Sequence, residues 1–144
     1  MVLTHEALAA VAGGLAGLGD TTSDIELVER IRALEMLKNA AAAAQARAAV
    51  ALRRLREGQG RAAGRPTTRT STSVAAEIGL ARRESPHRGR ILMGLAWVLD
   101  RELPHTSALF AAGEISEYRA MLVVRETTGL SRVDRGRVDA ALAD

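Results

Sequence analysis

The chain has 144 residues and no cysteine, enough for one domain with an appendage and without disulfides or Cys-based zinc sites. Its 47% hydrophobic content includes 28 alanines but one each of Phe, Tyr and Trp, so a core must rely on Leu, Ile, Val and close helix approach. The net charge of +3 is segregated: −3 over residues 1–46, +8 over 47–90 and −2 over 91–144.

The start, MVLTHEALAAVAGGLAGLGD, has no basic residue ahead of its apolar run and carries two glycines within it, which argues against a signal peptide. No apolar run approaches the roughly 20 residues that span a bilayer. A reducing, cytoplasmic setting with no membrane partner is the expectation. Thr4 is placed to cap a short helix ending near Gly13-Gly14, followed by a loop over 17–22. Ser23-Asp24-Ile25-Glu26 then reads as a capping box, with Ser23 accepting from the Glu26 N–H and Glu26 reaching back.

A long helix is expected over 24–57, stopped by Gly58 and Gly60. Its apolar stripe runs Leu27, Ile31, Leu34, Leu37, Ala41, Ala44, Ala48, Leu52, Leu55. The mean spacing of ~3.5 residues is the coiled-coil period, and the alanines at its centre permit close backbone approach. Such a helix would be about 50 Å long, against a diameter near 40 Å for a compact globule of this length. It must overhang, bend or pair. Leu27, Ile31, Leu34, Ala41, Ala48 and Leu52 are therefore candidate residues for a homodimer interface.

Residues 58–72 (GQGRAAGRPTTRTST) read as a basic linker, with Arg61, Arg65 and Arg69 evenly spaced. Residues 73–144 read as a compact bundle of about five short helices. Ser73 is placed to cap the first of these. Ser85 caps the second with Pro86 at its first position, where the missing N–H costs nothing. Pro104, Ser116 and Ser131 open the others; Gly113 and Gly129 close two of them. The second should bury Ile91, Leu92, Leu95, Val98 and Leu99, with Trp97 at the core edge. The last should bury Val138, Ala141 and Leu142. No strand pattern occurs, and the fold class is all-α: a long N-terminal helix (in a region 1–57), an Arg-rich linker and the bundle.

Within the bundle, AAEIGLARRESPHRGR, LPHT, GEISEYRA, VVRETTGLS and DRGRVDAAL resemble one family, the domain of unknown function numbered 222. In many actinobacterial proteins that domain precedes an HNH endonuclease domain. The resemblance covers residues 73–142. Its most specific pieces are Leu103-Pro104 with Ala108-Leu109, Gly113-Glu114-Ile115-Ser116 and Arg119-Ala120. It implies the DNA-binding accessory region of an HNH-type protein.

The HNH site itself has no counterpart here. That chemistry needs a His base, a positioning Asn and metal-ligating His or Asp close together. This chain has His5, His87 and His105 and one Asn, Asn39, remote in sequence from each. No catalytic residue, metal site, cofactor or small-molecule substrate is expected, and the chain is not read as an enzyme.

Helix 74–82, a turn over 83–85 and helix 86–101 resemble a helix-turn-helix, in which the second helix enters the major groove. His87, Arg88 and Arg90, with Arg82 and Arg83 beside them, are the candidate contacts to bases or phosphates of double-stranded DNA. Arg65 and Arg69 are the candidates on the linker. The competing reading is an interaction or dimerisation module working through the Ala-rich helix.

Overall fold

The computed structural model describes residues 4–142. Their elements are all helical: α1 (His5–Ala16), α2 (Asp24–Ala62), α3 (Thr67–Ala81), α4 (Pro86–Glu102), α5 (Pro104–Ala111), α6 (Glu117–Glu126) and α7 (Arg132–Ala141). The chain divides into two compact units at Ala33/Leu34, inside α2. None of the described helices is long and apolar enough to cross a membrane.

In the first unit Thr4 caps α1, accepting from the Ala7 N–H at 3.2 Å. The helix runs past Gly13-Gly14 to Ala16. Ser23 accepts from the Glu26 N–H at 3.3 Å, as a capping box requires. The return arm differs: Glu26 accepts from the Thr21 hydroxyl at 2.7 Å and from Arg30 at 2.9 Å. The Thr21 bond first, and Arg30 second, hold the Glu26 carboxyl below its ordinary range. The stabilisation this gives is present above the ordinary carboxylate value and is lost as the pH falls from there through the lowered folded-state value. No residue from 4 to 33 is buried.

In the second unit, α2 ends later than its glycines suggest. Gly58 and Gly60 are helical, and the stop is Gly64, at φ +68°. Arg65 N–H donates to Gly60 O and Gly64 N–H to Arg61 O, the double bond pattern of a Schellman end. Pro66 follows, where a helix cannot continue, and α3 begins at Thr67. The linker expected over 58–72 is thus reduced to residues 63–66. Thr and Ser are modest helix formers, and tertiary packing decides the matter. Gly60 lets the helices touch, since a Cβ there would lie 3.0 Å from Thr70 Oγ1. Val74, Ala75 and Ile78 of α3 are buried against Ala49 and Val50 of α2.

Helix α4 is the axle of this unit. Met93 and Ala96 join α3 and α2 in one apolar cluster, while Leu95 and Leu99 join Ala43, Leu103, Phe110 and Ala120 in a second. Ile91, expected inside, is exposed, and Met93 and Ala96 take the core positions. The crossing of α3 and α4 is glycine on glycine. A Cβ on Gly89 would lie 2.2 Å from Ala75 O and 3.0 Å from Gly79 Cα. Backbone meets backbone at that point, an approach that an alanine at either glycine would block.

The bundle closes on polar groups that the apolar pattern did not reveal. Helix α5 opens at Leu103-Pro104, and Leu103 has no side chain to cap it. Asp139 of α7 does so instead, fully buried, accepting from the N–H groups of His105 and Thr106, each at 2.8 Å, and from the Thr106 hydroxyl. One turn earlier on α7, buried Arg135 donates twice to Thr127 O at 3.1 Å and pairs with Glu102. Ala141 and Leu142, expected to anchor α7, are exposed. Polar capping rather than apolar burial docks this helix.

Candidate interaction surfaces

The helix pair α3–α4 has the two helices and short turn expected of it. The turn works without glycine. Arg83 occupies the left-handed region at φ 56°, with Glu84 N–H on Gly79 O and Arg83 N–H on Leu80 O. Ser85 caps α4 from Arg88 N–H at 3.1 Å, with Pro86 next to it.

The arginines proposed as one DNA-facing set divide in two. Arg82 reaches Glu117 of α6 at 2.7 Å, and Arg88 lies 3.8 Å from the same carboxylate and beside Met121 Sδ. Both are partly buried and hold α6 against the α3–α4 corner. Their charge is answered within the fold by Glu117. Arg83, His87 and Arg90 are exposed, and an Arg90 guanidinium nitrogen lies 3.4 Å from His87 Nδ1. Glu117 was the residue that local reading missed. It lies 35 residues beyond Arg82, at a helix start where a carboxylate is equally explained by the dipole.

Elsewhere many basic residues are also paired. Arg56 meets Glu77 at 3.0 Å, Arg54 meets Asp100 at 2.5 Å, and Arg53 meets Glu57 at 2.8 Å. Arg53 also lies 3.8 Å over the centre of the Trp97 ring, so this tryptophan is a packing platform at the core edge. The exposed arginines Arg61, Arg65 and Arg69 have no carboxylate partner among the described residues. Arg65 and Arg69 line one cavity between α2 and α3.

The dimerisation candidates fall on a free face of α2. In the second unit, Asn39, Ala43, Ala49 and Val50 form its buried side, and Asn39 donates to Gly113 O at 3.1 Å. Leu34, Leu37, Ala41, Ala44, Ala48 and Leu55 are all exposed. Leu52 departs from the set, half-buried against the Val74 and Ile78 cluster. Leu34, Ala41, Ala48 and Leu55 are each seven residues apart, and Leu55 is 59% exposed. In the first unit Leu27 and Ile31 are exposed as well, along with Leu8, Val11, Leu15 and Leu18.

No group of three His, Cys, Asp or Glu could hold a metal ion among the described residues. No family model matches this chain, and no curated protein or solved structure is significantly similar to it. The surfaces must therefore be read on their own chemistry.

Proposed function

We propose that the chain is a self-association module, in which the Leu34/Ala41/Ala48/Leu55 face of α2 pairs with the same face of a second copy. One observation carries the reading: these four heptad-spaced residues are exposed while the opposite side of the helix packs on its own bundle. An apolar seam at this period is built to meet another helix. The pattern Leu-Ala-Ala-Leu is its own mirror, so an antiparallel copy sets Leu34 opposite Leu55 and Ala41 opposite Ala48 in both halves of a two-fold interface. Sedimentation equilibrium tests the pairing: wild type is a dimer, and Leu34→Asp with Leu55→Asp is a folded monomer. Leu52 is unsuited to this test because its change would also disturb the core. A wild type that stays monomeric at high concentration would sink the reading.

The second reading is double-stranded DNA binding, as in the accessory region of an HNH-endonuclease-type protein, with no nuclease chemistry of its own. The observation favouring it is the trio Arg61, Arg65 and Arg69, exposed and without carboxylate partners among the described residues. Each phosphate neutralised adds about 0.9 to the slope of log affinity against log salt. Replacing the trio with Ala should flatten that slope by roughly 2.7. The same change at Arg82 and Arg88 should act on stability instead. Absence of DNA binding by folded protein at low salt would remove this reading.

A further inference from the structure

We infer that the hollow between the end of α2 and the start of α3 is a binding site for a phosphoryl group. It is a cavity of about 280 Å³. With about 10–15 Å³ of such space needed per water, it has room for a phosphoryl group together with part of what carries it. Its walls include Arg56, Arg65, Arg69, Thr70, Ser73 and Glu77. Glu77 answers Arg56 at 3.0 Å. Arg65 and Arg69 are left as two guanidinium groups on one small hollow, with no carboxylate partner among the described residues. Two like charges at one concavity repel, and an anion between them removes the repulsion. Guanidinium forks suit a tetrahedral oxyanion because each can donate two bonds. The Ser73 hydroxyl adds a neutral donor on the same wall, while the Thr70 hydroxyl donates to Pro66 O at 3.4 Å.

The site is built by the backbone. Gly64 at φ +68° ends α2, and the Arg65 N–H to Gly60 O bond of 2.8 Å fixes the chain where Arg65 leaves it. Arg69 follows four residues later on α3, so both stems spring from one ordered corner. Gly60 forms part of the floor, and a Cβ there would crowd Thr70 Oγ1 at 3.0 Å. The stretch GRAAGRPTTRT, which composition alone makes a loose connector, is thus a helical corner around a basic hollow.

The inference deepens the DNA reading and, for a phosphodiester as the carrier, rests on it. A free or terminal phosphate would satisfy the same donors. Two titrations of ¹⁵N-labelled protein at low ionic strength separate these sources, one with inorganic phosphate and one with a blunt DNA duplex. Phosphate should give saturable amide shifts at Gly64, Arg65, Thr70 and Ser73. Arg65→Ala with Arg69→Ala should weaken phosphate at least tenfold, with circular dichroism unchanged because both side chains are exposed. Arg119→Ala, at an exposed arginine of α6 outside the cavity walls, should leave phosphate binding intact. If phosphate binds and the duplex does not, the pocket stands and DNA is not its carrier. No saturable shift with phosphate, or shifts that survive the double change, overturns the site, whatever the duplex does.

Discussion

Residues 4–33 and residues 34–142 use the same helix-forming alphabet to opposite ends. The first unit has caps at Thr4 and Ser23 and a Glu26–Arg30 pair, yet it buries no side chain. The second buries two apolar clusters around α4 and ties its ends with Asp139 and Arg135. Caps and i,i+4 pairs each contribute about 1 kcal/mol or less. Most helical stability comes from tertiary packing. Local signals therefore specify where helices begin in both units, but only one unit has the burial that holds them.

Substitutions can break this contrast. The largest effect is expected at Asp139. Asp139→Ala strips the start of α5 of three hydrogen bonds inside the bundle, and urea unfolding should show a loss of about 3 kcal/mol. A loss under ~1 kcal/mol would mean that water replaces the carboxylate freely. Next comes the α3–α4 crossing. Gly89→Ala drives a methyl into the Ala75 carbonyl, and overpacking of this kind should cost about 2 kcal/mol. Unchanged stability there would show that the helices can part without penalty.

Smaller effects sharpen the comparison. Arg83→Gly relieves a left-handed residue that has no ion-pair partner among the described residues. It should raise stability by roughly 0.5–1 kcal/mol, and a loss would reveal an unseen role for the side chain. In the first unit Leu8→Ala should change the stability of the monomer by less than about 0.5 kcal/mol, since Leu8 is 53% exposed. Thermal melts of a dimer-breaking variant make that measurement without interference from self-association.

The legible parts of the fold were those whose physics is local. Ser85-Pro86, Ser116 and Ser131 cap the helices expected of them because a cap needs only its next three residues. The 3.5-residue stripe of α2 was legible for the same reason, and its exposure is a feature of the fold rather than of the pattern. Residues 58–72 misled because Gly and Thr disfavour helix intrinsically, while the contacts that override them come from Thr70, Val74 and Ile78 across the corner. Of the candidate DNA surface, charge segregation marked only the basic third of the chain; Glu117 and Glu77, which claim Arg82, Arg88 and Arg56, are partners only in space. The docking of α7 was hidden likewise, because Asp139 meets its partners 33 and 34 residues away.

The absence of cysteine permits a direct test of the central claim, that α2 pairs with a second α2 in antiparallel register. Ala41→Cys and Ala48→Cys chains would be prepared separately, mixed under mild oxidation and resolved by mass. A disulfide needs Cβ atoms about 3.5–4.5 Å apart, so it reports the register itself. The account predicts that the mixed 41–48 species forms first and exceeds both single-type disulfides. Equal yields of all three, or chains that stay uncrosslinked at concentrations where α2 should be paired, would contradict it.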